Sequence, residues 1–118
     1  MQIPKNKTVK DKNYVRWIKS QPCVITGQQA TIHHLINYGT SGGAMKSDDY
    51  LSFPLCNEYH TGNKGIHRGV KDWEKGFYQQ PHYIILTLTR AYAEGEINQE
   101  IYDKYFDICK GLLETFSD

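Results

Sequence analysis

The stretch Thr31-Ile32-His33-His34-Leu35-Ile36, followed by Tyr50-Leu51-Ser52-Phe53-Pro54-Leu55, decides the fold. Both segments are rich in β-branched and aromatic residues, and each reads as a short strand. Pro54 marks the second as an edge strand or a strand end, because proline brings no N–H to a ladder. Between them, Tyr38-Gly39-Thr40-Ser41-Gly42-Gly43 reads as an open glycine-rich loop, and Asp48-Asp49 introduces the second strand.

Upstream, Asn13 is placed to cap a helix through Ser20, in which Tyr14, Trp17 and Ile18 share a face. Gln21-Pro22 ends it, since the residue before proline is pushed out of the α region. Cys23-Val24-Ile25-Thr26-Gly27 is a short strand or knuckle closing on a glycine turn, and residues 1–12 form a basic flexible arm. Downstream, residues 57–68 read as loop with short helical pieces, and Val70 to Tyr78 as a short helix carrying Val70, Trp73 and Phe77 on one side.

From Pro81 onward the period is helical twice over. Ile84, Ile85, Leu88, Ala91 and Tyr92 form one stripe, Gly95 ends that helix, and Asn98 starts the next, with Ile101, Tyr105, Ile108 and Leu112 as its stripe. The expected fold is therefore α+β: a single domain over residues 13–118, with a ββα finger at about 22–78, an N-terminal helix and a C-terminal helical hairpin at about 81–116.

A chain of 118 residues suits one domain with one core. No apolar run approaches the roughly 20 residues that span a bilayer, which argues against a membrane partner. The N-terminal segment lacks the apolar stretch of a secretory signal, so a cytoplasmic location is expected. The net charge of +1 hides a gradient. Lys5, Lys7, Lys10, Lys12, Arg16 and Lys19 face only Asp11 in the first 20 residues, whereas acids dominate after residue 91. A basic arm can lie against phosphates or simply be solvated, and charge alone does not choose.

The chemistry concentrates in the histidines. His33, His34, His60 and His67 lie within 35 residues, in a segment that also holds Asp48, Asp49, Cys56 and Asn57. Imidazole suits zinc and similar ions, and carboxylate suits magnesium and manganese, so one divalent metal ion (Zn, Mg or Mn) is expected. Neighbouring side chains on a strand point to opposite faces, so His33 and His34 divide their roles unless the backbone twists. One can hold a cation while the other, unmetallated, takes a proton from water near neutral pH. His82 lies outside this group and reads as structural or surface. Cys23, Cys56 and Cys109 are odd in number and widely spaced, which argues against a disulfide framework. Cys109 falls in a helical apolar pattern, and burial is the preferred reading of all three.

The run Pro22-Cys23, Ile32-His33-His34-Leu35, Gly42, Lys46-Ser47-Asp48-Asp49, Pro54-Leu55-Cys56, His60, Gly65-Ile66-His67 and Trp73-Glu74 resembles HNH (ββα-metal) endonucleases. Within them it is most similar to phage recombination-associated nucleases of the recombination-enhancement, RecA-dependent type, over roughly residues 14–78. The resemblance implies His34 as general base and His33, His60 and His67 as metal ligands. The middle Asn of the His-Asn-His signature has no clear counterpart; Asp49 is nearest in place and is assigned a catalytic role, with Asp48 as its substitute. Each of the two Cys-x-x-Cys knuckles common in such proteins keeps only its first cysteine, Cys23 and Cys56, so a four-cysteine zinc site is ruled out by count. Lys46, Lys64 and Arg68 are candidate phosphate contacts. The implied activity is metal-dependent hydrolysis of DNA in phage or prophage recombination, with DNA and a recombinase filament or phage recombination protein as partners. The alternative is a non-catalytic, zinc-stabilised nucleic-acid-binding module. A third reading is an interaction protein whose acidic hairpin binds a host partner.

Overall fold

The computed structural model describes residues 8–36 and 48–116. The glycine-rich loop and Lys46 lie outside the described residues. The architecture is α+β, with two antiparallel strands and five α-helices among the described residues. Helix α1 (Lys12–Lys19) precedes strand β1 (Thr31–His34) and strand β2 (Ser52–Leu55). Helix α2 (Asn57–His60), a 3₁₀ turn (Ile66–Arg68) and helix α3 (Val70–Gly76) follow, and the chain closes with helices α4 (Gln80–Ala93) and α5 (Gln99–Phe116).

The cap of α1 falls two residues earlier than Asn13. Asp11, in an extended conformation, accepts a hydrogen bond from the Tyr14 N–H through its side chain, as an N-cap does. The same residue ties the preceding backbone down. Its N–H donates to Asp49 Oδ2 at 2.8 Å, while Val9 exchanges bonds with Asp48 Oδ1 and the Asp49 N–H. Residues 9–11, expected in a flexible arm, are thus anchored across the molecule. The buried face of α1 is the expected one, Tyr14, Trp17 and Ile18.

The strands pair with Thr31 opposite Leu55, Ile32 opposite Pro54, His33 opposite Phe53 and His34 opposite Ser52. Both are shorter than the sequence suggested. Asp48 to Leu51 close a turn through the bond from the Leu51 N–H to the Asp48 carbonyl, which removes Tyr50 and Leu51 from β2. At the other end, the Ile36 N–H is captured by the Gln80 side chain instead of a ladder partner. Pro54 sits at an outer position, and its carbonyl accepts from the Val24 N–H. The turn after Cys23 closes as expected on Gly27, whose φ of 75° places it in the left-handed region that favours glycine.

The hairpin forms with Asn98 capping α5 through the Ile101 N–H at 2.9 Å. The β-branched composition of α4 did not prevent a helix, because its buried face of Tyr83, Ile84, Thr87, Leu88 and Ala91 packs on β2 and α5. That face is rotated from the expected stripe, leaving Tyr92 42% exposed. Cys109 is fully buried in the α5 face, and burial pushes its thiol up to about 12. Tyr105, beside it, donates from its hydroxyl to Asp48 Oδ2 at 2.7 Å. Asp48 therefore joins the N-terminal segment to α5.

Asp48→Ala removes the acceptor of two such bonds. It should lower stability by about 2 kcal/mol, or roughly 6–10 °C in Tm, and Tyr105→Phe by about half as much. Thermal unfolding followed by circular dichroism checks this, and equal losses in the two variants would contradict the assignment of Asp48 as a two-way link.

Candidate metal and base site

Strand β1 separates the adjacent histidines as period two requires. His33 points into the core beside Phe53 and is fully buried, whereas the His34 side chain is 35% exposed. Helix α2 ends on His60 and the 3₁₀ turn carries His67, so two short elements bring these rings back onto β1. The ring centroids of His33, His60 and His67 lie 4.7–5.4 Å apart. One nitrogen from each falls within 4.8 Å of the others. The loop between α2 and the 3₁₀ turn is held tight at Gly65, where a Cβ would come within 2.6 Å of the His60 carbonyl oxygen. No larger residue fits that approach without moving the backbone that sets the two histidines.

His33 is buried, His60 half-buried and His67 exposed, and the second nitrogen of the first two rings helps decide between a packing cluster and a ligand set. His33 Nε2 lies 2.9 Å from Gln80 Oε1, an oxygen that only accepts, so Nε2 carries the proton and the lone pair sits on Nδ1. His33 Nδ1 is buried with no hydrogen-bond partner among the described residues. A buried orphaned acceptor facing two further imidazoles is a costly arrangement unless a cation satisfies it. Gln80 is itself immobilised, because its amide N–H donates to the Ile36 carbonyl and its Oε1 also accepts from the Ile36 N–H. For His60, the Thr31 hydroxyl contacts Nδ1 at 3.1 Å and the Leu55 carbonyl at 3.2 Å. Donation to the carbonyl makes that hydroxyl an acceptor for Nδ1–H and leaves His60 Nε2 as the ligand atom. Ring nitrogens braced in this way are the usual companions of metal-binding histidine.

Burial, with the nearby His60, His67 and His34, holds His33 down to about 3 despite its bond to Gln80. Burial and the charges of His67 and His34 also lower His60. These two imidazoles are therefore neutral, the form that ligates a metal.

His34 is engaged differently. Its Nε2 lies 2.9 Å from Asp49 Oδ1, and Asp49 is buried with its other oxygen held by the Asp11 N–H. A carboxylate at Nε2 fixes the proton there, orients the ring and makes Nδ1 the basic atom. Of the two adjacent acids, Asp49 meets His34, and Asp48 is committed to Val9 and Tyr105.

The phosphate candidates divide. Lys64 is exposed, with Nζ 6.0 Å above the Tyr59 ring, and Arg68 donates through Nε to the Gly62 carbonyl at 2.9 Å, leaving its terminal nitrogens for other partners. Cys23 and Cys56 are buried outside the histidine group. Although burial raises the Cys23 thiol, hydrogen bonds from Thr26, Cys56 and Ile25 outweigh it and the net shift is downward. His82 stacks on Tyr78 and is not among the clustered histidines. Gln80 and Thr31, which brace two of the rings, carry no sequence signal as site residues. Gln80 reads only as the residue before a helix-starting proline.

A family model described as "Protein of unknown function (DUF968)" matches residues 1–95. A protein of Escherichia coli (strain K12), described as uncharacterized protein YdfU, is 33% identical over 96 residues, which cover 80% of this chain and 27% of that protein. The chain thus spans about a quarter of the length of that relative. No solved structure matches.

Replacing Gln80 with Leu removes the acceptor that fixes His33. Divalent-metal affinity, measured by titration calorimetry, should fall 10–100-fold while the helical signal persists. Unchanged affinity would show that the brace is irrelevant to the cluster. A second expectation concerns acid. His33 titrates at about 3 in the folded chain and near 6.5 when unfolded, so between these values the unfolded state binds the extra proton. The metal-free protein should lose stability as pH falls from about 6.5 toward 3, and His33→Phe should flatten that part of the denaturant-midpoint profile.

Proposed function

This chain belongs to the DUF968 family, and from its site we propose that it is a metal-dependent DNA endonuclease of the HNH type. The observation that carries the reading is the pairing of two units on one strand: an orphaned His33 Nδ1 within a three-histidine cluster, and a His34–Asp49 dyad next to it. A structural metal site needs the first and has no use for the second. Hydrolysis of a phosphodiester needs both.

His33, His60 and His67 would hold one divalent ion. Three imidazole ligands would favour zinc or another borderline transition ion over magnesium, which prefers oxygen ligands, and would leave coordination positions open. Such an ion supplies charge neutralisation at a scissile phosphate and stabilises the departing oxygen.

The chain's own residues account for the remaining steps. His34 accepts the proton of a water at Nδ1, becoming imidazolium, and Asp49 stabilises that charge through Nε2–H while holding the ring in its tautomer. Asp49 thereby takes the bracing place of the signature's middle Asn. The bond from the Asp11 N–H fixes the Asp49 carboxylate in position. Lys64, between His60 and His67, and Arg68, directly after His67, would meet flanking phosphates, and Lys46 is proposed for the same contact from outside the described residues.

A role in phage or prophage recombination, with a recombinase filament or phage recombination protein as partner, rests on the sequence resemblance. No helix among the described residues is long and apolar enough to cross a membrane. The three unpaired cysteines accord with the proposed cytoplasmic setting.

The test is His34→Ala. Nicking of plasmid or oligonucleotide DNA should fall by about 10²–10⁴-fold, while bound metal per chain stays at the wild-type value and the chain stays folded by circular dichroism. Full nicking activity in a clean preparation of this variant would overturn the proposal, as would wild-type protein that nicks no DNA with any divalent ion.

A further inference from the structure

Beside the histidine cluster lies a second feature that phosphate hydrolysis does not require. A cleft of about 400 Å³ opens between the α2 loop and α3, walled by Tyr59, Lys64, Arg68, Trp73 and Phe77, with Asp72 on its rim. In the chain it borders the cluster, since Tyr59 precedes His60 and Arg68 follows His67.

Its chemistry is particular. Three aromatic rings share the wall, Tyr59 edge-on to Phe77 at 5.5 Å and Trp73 against Phe77 at 4.8 Å. Two cations stand where the cleft meets the turn carrying His67. The Trp73 indole N–H is buried with no hydrogen-bond partner among the described residues, a donor a core would ordinarily satisfy. The rim carboxylate of Asp72 is 91% exposed, and its one ion pair, to Lys75, is at the 4.0 Å limit. Gly76 opens the far side, where a Cβ would meet nothing within 4 Å.

We propose that this cleft takes an unpaired nucleobase of the DNA strand being cut, next to the scissile phosphate, and so selects single-stranded or locally melted DNA. The inference rests on the endonuclease reading above. A phosphate alone would need the cations and not the rings, whereas an apolar ligand would need the rings and not the cations. A nucleotide needs both, its base against aromatic walls and its phosphate against Lys64 and Arg68. Asp72 repels phosphate and accepts from exocyclic amines, so it marks the base end of the cleft. In a duplex every base is stacked and paired, so such a cleft is reached only by an unpaired nucleotide or one rotated out of the helix.

The experiment measures binding with no divalent ion present, so that cleavage plays no part. Fluorescence anisotropy of a labelled 12-nucleotide single strand in EDTA is compared with that of the same sequence as duplex, for the wild-type chain and for Tyr59→Leu and Gly76→Leu. The first variant removes an aromatic face, and the second fills the cleft from a position that touches nothing. Single-strand affinity should exceed duplex affinity at least tenfold in wild type and drop about tenfold in each variant, with duplex binding unchanged. Wild type that prefers duplex or binds neither would overturn the inference, and so would folded variants that keep wild-type single-strand affinity. His34→Ala, assayed in parallel, should bind the single strand as wild type does. If it still nicks while the cleft variants lose binding, the base assignment falls and the cleft stands. If it fails to nick while the cleft variants bind normally, the cleft falls and the base assignment stands.

Discussion

A fully buried histidine whose one nitrogen is bonded to a fully buried glutamine organises this protein. The His33–Gln80 contact joins residues 47 apart and links the first strand to the first turn of α4. An imidazole and an amide buried together are tolerable only when each polar atom is paired. Gln80 meets this by also bridging both backbone groups of Ile36, and so ends β1 where it does. The atom left over is His33 Nδ1, and the cluster with His60 and His67 forms around it. The helical hairpin thus does more than cover the sheet, because it sets the tautomer at the centre of the candidate site.

A second set of contacts supports the neighbouring dyad. Asp48 and Asp49, side by side in one turn, point their carboxylates at different partners. Asp49 meets His34 and the Asp11 backbone, and Asp48 meets Val9 and Tyr105. Asp11 caps α1 and also accepts from the Tyr50 hydroxyl. The position of Asp49 is therefore determined by α1, α5 and the N-terminal segment together. A short, two-stranded sheet could not hold such geometry alone, since isolated hairpins are marginal in water.

Three groups of side chains carry the chemistry: the His34–Asp49 dyad, the three-histidine cluster and the aromatic cleft. The dyad pairs an imidazole with a buried carboxylate, the cluster brings one nitrogen from each of three imidazoles together, and the cleft has aromatic walls with two cations beside them. Under the proposed reading, each would serve a different part of a nucleotide: the attacking water, the phosphate and the base. Their order along the chain comes from α2 and the 3₁₀ turn, where Tyr59, His60, Lys64, His67 and Arg68 fall within ten residues.

Much of this was legible in the residues themselves. Period-two and helical spacing, proline and asparagine signals placed β1, β2, α1 and the hairpin, because local sterics and apolar patterning act over a few neighbours. The histidines announced themselves by density, and the alternation of a strand already separated His33 from His34. What sequence left open depended on contacts between distant residues. Nothing near Asn13 reveals that Asp11 caps the helix while bonding Asp49, and nothing in Gln80 reveals a partner 47 residues earlier. The choice of Asp49 over Asp48, the shortening of both strands and the rotated face of α4 follow from the same long-range pairing. Sequence determined which chemistry the chain carries and on which elements. Tertiary structure decided which nitrogen of His33, His34 and His60 is basic, because a ring proton goes wherever a distant partner is held to receive it.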